Sequence, residues 1–274
     1  MCLLLLAFHV TPDRPWLLLG NRDEFHGRAS APAQAWTDTP DVIGGRDLEA
    51  GGTWLALHRN GRFAAVTNVR TGQPRRGPRS RGELVAGFVR GAATPAAYAN
   101  DVARRRDDYG PFNLIVGDRR SAAGASSALP QSWDFGRGMH VLSNGPPGAE
   151  WPKTRRLHDR FGALLQSVEV DKPAVHDATP SGVDASSHGW PDEGVLLDLL
   201  GDVGSAPDSE LPETGVGIEL ERRLAPIFIV GPQYGTRAST LAYARGDGSC
   251  VLVERGFGPD GVALGETRIK TPPA

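Results

Sequence analysis

The sequence has little of several things that would settle a class at once. It holds two cysteines, Cys2 and Cys250, in 274 residues. So few exclude a disulfide framework, and a reducing compartment is the simpler expectation. No run of apolar residues approaches the roughly 18 needed to cross a bilayer. The charged groups nearly cancel, at a net −2, which argues against a broad nucleic-acid surface or an acidic-membrane surface. Lysine is scarce, with only Lys153, Lys172 and Lys270 among 30 basic residues. That bias carries no functional weight. The seven histidines are scattered, and none has zinc-ligand spacing with a cysteine or another histidine. No Walker A lysine or Rossmann glycine spacing is present.

What is present is the balance of a globular chain, with 39% hydrophobic and 23% charged residues. Its length suits one large domain, and no interdomain linker or internal repeat interrupts it. The apolar start from Cys2 to Phe8 lacks the positive region and small-residue cleavage site of a signal peptide. It is expected to be a buried strand of a soluble, cytoplasmic protein.

The spacing predicts strands over 2–10 and 16–19, joined by the Pro- and Asp-containing turn at 11–15. With a turn near Asp13, paired residues sum to about 26, which places Cys2 opposite Glu24 and Leu4 opposite Arg22. Further strands are expected over 54–57, 63–69, 112–116, 139–142, 227–230, 239–244 and 250–254. Asn60-Gly61 suggests a type I′ turn. Ser80 with Glu83 suggests a helix start. Helices are expected over 81–90, 95–107, 153–167 and 193–200, and a surface excursion over 170–192. Strands, then helices, then strands imply a layered α+β domain spanning 1–274.

Cys2 is the leading candidate for chemistry. Removal of Met1 would leave its thiol and a free α-amine on one residue, and an α-amine titrates near ~7.7–8.0. Such an amine can take the thiol proton and return it to a leaving amine. Chance alone also puts cysteine at position 2. Asn21-Arg22-Asp23-Glu24 follows an apolar strand: its carboxylates can hold an ammonium and Arg22 can favour a thiolate, or the strand is simply entering solvent. Asn68 and Asn144 end apolar strands, where an amide can donate to an oxyanion or form a turn. The glycines of Gly44-Gly45-Arg46-Asp47 and Gly51-Gly52 can admit a ligand close to the backbone or serve as loop residues. Trp54 suits a pocket wall or a core. His9 reads as a core residue, and Cys250 as a small buried hydrophobe.

Together these segments resemble the NRDE family, also known as the transport and Golgi organisation protein 2 family. The resemblance rests on Met1-Cys2, Gly20-Asn21-Arg22-Asp23-Glu24-Phe25, Gly44-Gly45-Arg46-Asp47 and Gly51-Gly52-Thr53-Trp54. It continues through Thr67-Asn68-Val69-Arg70, Phe112-Asn113-Leu114, Leu142-Ser143-Asn144-Gly145 and Leu211-Pro212-Glu213-Thr214-Gly215. It ends with Ile227-Phe228-Ile229 and Tyr234-Gly235-Thr236-Arg237-Ala238-Ser239-Thr240. The resemblance implies a four-layer αββα sandwich of the N-terminal nucleophile hydrolase type. It implies a cysteine amidohydrolase acting on a non-peptide, linear C–N bond, without a cofactor. Cys2, Arg22, Asp23, Asn68, Asn144 and Arg237 would be catalytic, with Asn21, Glu24, Arg46 and Trp54 near the substrate. In the choloylglycine hydrolases and penicillin V acylases, to which the family is similar, the Arg and Asp are three apart. Here Arg22 and Asp23 are adjacent, so Asp23 and Glu24 both stay candidates for the amine contact. The resemblance also admits a non-catalytic carrier of haem or a lipid or acyl ligand in the same pocket, or an adaptor retaining the fold. There is no Cys-x-x-Cys-His for covalent haem. The expected partner is a small molecule, and no feature fixes an oligomeric state.

Overall fold

A computed structural model describes residues 3–72, 75, 77–170 and 190–273. Cys2 and most of the expected 170–192 excursion lie outside the described residues. The elements are β1 (Leu3–Thr11), β2 (Arg14–Phe25), β3 (Ser30–Trp36), β4 (Thr39–Asp47), β5 (Leu55–His58) and β6 (Phe63–Asn68). Helices α1 (Gly82–Arg90) and α2 (Pro95–Arg104) follow, then β7 (Phe112–Gly117), β8 (Ala122–Ser126), β9 (Trp133–Asp134) and β10 (Gly138–Leu142). The chain continues with α3 (Pro152–Val170), α4 (Glu193–Asp198), α5 (Ile218–Leu224), β11 (Tyr234–Ala244), β12 (Cys250–Phe257) and β13 (Ala263–Lys270).

Two antiparallel sheets form. The first runs β10-β1-β2-β11-β12-β13, and the second β3-β4-β5-β6-β7-β8-β9. Leu4, Leu6, Leu18 and Leu252 of the first sheet meet Ile43, Leu57, Phe63 and Ile115 of the second in one buried cluster. Alternate residues Leu3, Leu5, Leu17 and Leu19 point the other way, onto Leu157, Phe161 and Leu196. The outer face of the second sheet packs Val42, Val66 and Leu114 on Leu84, Phe88 and Val102 of α1 and α2. Both sheets are therefore apolar on both faces, and each must be covered twice. The expected αββα layering follows.

Several local expectations are corrected. Leu3 pairs with Asn21 and Leu4 with Gly20, so the hairpin sums to 24, not 26. The ladder slips between Phe8 and Thr11, where His9 takes φ +48. The turn closes with Thr11 opposite Arg14, a sum of 25, and the bulge then spends one extra residue on β1 and lowers the sum to 24. His9 is thus a half-buried bulge residue, not a core one. Residues 227–230 form no strand; Ile229 instead exchanges bonds with Thr236. Asn60 lacks positive φ, and only Gly61 (φ +92) has it, so that turn is not type I′. Strands β3, β4, β8, β9 and β13 were not foreseen. At the start of α1, Gly82 N donates to Ser80 Oγ and Ser80 N to Glu83 Oε1, the reciprocal bonds expected there.

Candidate functional site

The layer between the sheets is apolar along most of its length and turns polar at one end. On the second sheet, Thr67, Asn113 and Ser126 sit side by side across β6, β7 and β8. On the first, Gly20, Thr240 and Glu254 share a row across β2, β11 and β12. Arg22 lies one step beyond Gly20 on the same face of β2. The N-terminal end of β1 reaches this region, since Leu4 pairs with both Gly20 and Leu142.

Arg22 is 4% exposed, and its guanidinium lies over the Trp54 ring at 4.3 Å. Burial lowers its pKa, with Glu24 opposing and Arg237 adding to the shift. Among the described residues it forms no ion pair. Trp54 gets this close because β4 is glycine there. A Cβ on Gly45 would stand 2.2 Å from the Trp54 ring, and one on Gly44 would stand 2.5 Å from Leu55 O. The paired glycines thus admit the protein's own tryptophan. Trp54 Nε1 is buried with no acceptor among the described residues, an unusual state for an indole.

Asn21 and Asp23 point to the opposite face. Asn21 Nδ2 donates to Leu200 O and Ile227 O at 2.9 and 2.8 Å, and its Oδ1 accepts from Ser239 Oγ. Its amide is spent on the scaffold. Asp23 Oδ1 accepts from Thr236 Oγ1 at 2.7 Å. Glu24 accepts from the Phe25 N–H. Arg237 occupies a bulge of β11, and its guanidinium donates to Phe25 O and Arg28 O. Arg28 in turn pairs with Asp47 at 2.8 Å, so Asp47 ties β4 to the end of β2.

Arg46 stands apart. It stacks on Trp36 at 4.4 Å and pairs with Asp38, on the helix-covered face of the second sheet. Alternation along β4 sends it there, because Gly45 already faces Trp54. Its side chain therefore lies on the opposite face of the sheet from Trp54 and Arg22.

Asn144 follows β10. Its Nδ2 donates to Asn68 O at 2.9 Å, which leaves a second amide proton. Its own carbonyl accepts from Arg70 N at 2.7 Å. Asn68 thus meets Asn144 through its backbone carbonyl. Arg70 pairs with buried Glu221, which also accepts from Thr214 Oγ1, and stacks on Trp151 at 5.0 Å.

Two buried polar residues at this end were given no site role from the sequence. Glu254 is 5% exposed; its Oε1 accepts from Ala33 N at 2.7 Å and its Oε2 from Thr240 Oγ1 at 3.3 Å. The Ala33 N–H is available because β3 bulges between Ala31 and Gln34. Burial raises the Glu254 pKa, and the two donated bonds and the Arg22 charge work against that. Asn113 is the other. The signal for both was a lone polar residue in an apolar run, Val-Leu-Val-Glu and Phe-Asn-Leu-Ile-Val.

A cleft of about 660 Å³ runs along β9, β10 and the start of α3, and none of Arg22, Trp54, Asn68, Asn113 or Asn144 lines it. Trp133, Phe135, Met139, His140, Pro147 and His158 line it. Among the described residues no cluster of His, Cys, Asp or Glu is arranged to hold a metal ion, and no helix is long and apolar enough to cross a membrane.

The chain was compared with known proteins. It is 29% identical to the human protein named Transport and Golgi organization protein 2 homolog, over 98% of this chain and 97% of that one. It is 33% identical to Transport and Golgi organization protein 2 of Drosophila melanogaster, over 55% and 59% of the two chains. Among solved structures, it is similar to a C2A mutant of conjugated bile acid hydrolase from Clostridium perfringens. That match has a TM-score of 0.45 and 9% identity, covering 99% and 92% of the two chains. An N-acylethanolamine-hydrolyzing acid amidase ortholog from Caenorhabditis elegans gives a TM-score of 0.41 at 10% identity, over 88% and 92%. Likeness of that size establishes no shared reaction. The family profile described as Transport and Golgi organisation 2 matches residues 1–259, and the chain belongs to that family.

Proposed function

We propose that the protein is a cysteine amidohydrolase that cleaves a linear, non-peptide amide with Cys2 as nucleophile. The observation that carries this reading is the double register of β1. Leu4 faces Gly20 on one side and Leu142 on the other. The described end of β1 therefore lies between the strand that runs on to Arg22, a buried cation, and the strand that runs on to Asn144, an amide donor.

In this reading the α-amine of Cys2, freed by loss of Met1, removes the thiol proton. The sulfur attacks the amide carbonyl, and the carbonyl π pair moves onto oxygen. The second Nδ2 proton of Asn144 meets that oxyanion, and the Asn68 amide is the second candidate donor. The positive charge of Arg22 favours thiolate over thiol. Collapse expels the amine, which takes its proton from the α-ammonium. Water, deprotonated by the same amine, then cleaves the thioester to a carboxylic acid. Asp23 and Glu24 remain the candidates for orienting the ammonium.

Carriage of an apolar ligand, haem or an acyl chain, is the second reading. Its support is the cleft lining, where Trp133, Phe135 and Met139 stand with His140 and His158. His140 Nε2 is engaged with Gly136 O at 2.8 Å, so its Nδ1 would be the atom to meet a metal.

Intact mass combined with iodoacetamide labelling across pH separates the two. The amidohydrolase reading expects a chain lacking Met1, with Cys2 alkylated quickly at neutral pH. Cys250 is an internal reference, since it is fully buried and burial pushes its pKa up to about 11. A retained Met1, or a Cys2 as slow as Cys250, removes the hydrolase and leaves ligand carriage.

A further inference from the structure

The geometry points to Asn113 as the positioning residue that holds the Ser143-Asn144-Gly145 backbone so that the Asn144 amide can meet an oxyanion. This inference rests on the amidohydrolase reading above. Asn113 is 2% exposed, in the middle of the second sheet, yet the segment it grips continues from β10 of the first. Its Nδ2 lies 3.1 Å from Ser143 O and 2.8 Å from Gly145 O, the carbonyls on either side of Asn144. It also lies 3.3 Å from Thr67 Oγ1. Thr67 Oγ1 itself donates to Ser143 O at 2.9 Å. On the other side, Asn113 Oδ1 accepts from Ser126 Oγ at 2.8 Å.

The row Thr67-Asn113-Ser126 therefore fixes which way the Asn113 amide points. The Ser143 and Gly145 carbonyls can only accept, so the Asn113 nitrogen must face them and its oxygen is left to Ser126 Oγ, which also lies 3.1 Å from Phe112 O. With Arg70 N on Asn144 O, the three consecutive carbonyls of 143–145 are held by donors from β6, β7 and the chain after β6. A segment held at every carbonyl cannot rotate its peptide planes. The Cα–Cβ direction of Asn144 is then set by the second sheet, although β10, which leads into it, belongs to the first. Asn113 thus couples the two halves of the site without touching substrate. An oxyanion donor works only when it is aimed before the charge develops, and freedom in this loop would cost that aim.

The test compares two reactions of Cys2. Alkylation by iodoacetamide passes through no tetrahedral oxyanion. Acylation by p-nitrophenyl acetate does, with transfer of the acetyl group to sulfur and release of p-nitrophenolate. In Asn113→Ala the acylation rate is expected to fall about 10- to 100-fold, by analogy with losing most of one oxyanion donor. The alkylation rate and its pH profile should stay within about twofold, as the thiol's own surroundings are intact. Thr67→Val, which removes only the hydroxyl on Ser143 O, should lower the acylation-to-alkylation ratio in the same direction by less. An unchanged ratio in a folded Asn113→Ala overturns the inference. If Asn113→Ala fails to fold, Thr67→Val decides, and an unchanged ratio there overturns it equally. A wild-type chain that releases no nitrophenolate through Cys2 removes the hydrolase reading and this inference with it. Wild-type acylation with unaltered variants removes the inference alone.

Discussion

At the scale of single residues, the polar end of the inter-sheet layer depends on a few side chains that an apolar core would exclude. Glu254 is the costliest. A buried carboxyl whose pKa is raised in the folded state favours folding while it is protonated. Its stabilising contribution is full below the unfolded carboxylate pKa and is lost as pH rises through the folded value. Glu254→Gln keeps an acceptor for Ala33 N and cannot ionise. Its Tm, measured against wild type, should therefore rise relative to wild type as pH climbs from the carboxylate range, then level off. A Tm difference independent of pH would mean that Glu254 does not titrate across that range. Arg22, Asn68 and Asn144 draw the eye in the sequence because each is a polar residue at the end of an apolar strand. Arg46 falls on the face away from Trp54 because its motif reads as one unit in the sequence, while strand alternation splits it between two faces.

At the scale of elements, β4 shows how a glycine pair serves a neighbour. Gly45 exists for Trp54, and Trp54 carries Arg22. Gly45→Ala would drive a methyl into the indole, and overpacking of that kind costs about 1–3 kcal/mol. The urea midpoint should drop accordingly, while Gly27→Ala, with nothing within 4 Å of its Cβ, should hardly move it. Equal effects from both would deny the contact its role. In the sequence, Gly44-Gly45 looked like a loop or a ligand approach, since glycine depletes strands. Burial of Val42 and Ile43 between layers, and pairing with β5, overrode that propensity. Hairpin β1–β2 was correctly foreseen, but not its bulge, because one extra residue leaves no mark on an all-apolar strand.

At the scale of the whole molecule, long-range ties close the site. Glu221 of α5 meets Arg70 after β6, and Thr214 supports it. Both partners are largely buried, at 3% and 11% side-chain exposure. Glu221→Ala would strand the Arg70 guanidinium, and breaking a buried pair from one side costs about 3–5 kcal/mol. A guanidinium-denaturation curve should show a loss of that order. A loss below about 1 kcal/mol would place the pair among weak surface bridges.

Sequence alone determined the apolar strands, the main helices, the family and the candidate thiol, because periodicity and residue type are local properties. It determined that the strands are buried on both faces, hence that layers must lie above and below. Tertiary structure decided the rest. It set the register that pairs Leu4 with both Gly20 and Leu142, the face on which each described NRDE residue falls, and the pairing of Glu254 with a bulge in the other sheet. It also decided that Asn113, a residue of the family motif to which the sequence assigned no role, grips a loop continuing from the opposite sheet. These depend on contacts between residues far apart in the chain, and a hydrogen bond between sheets leaves no period in the sequence of either.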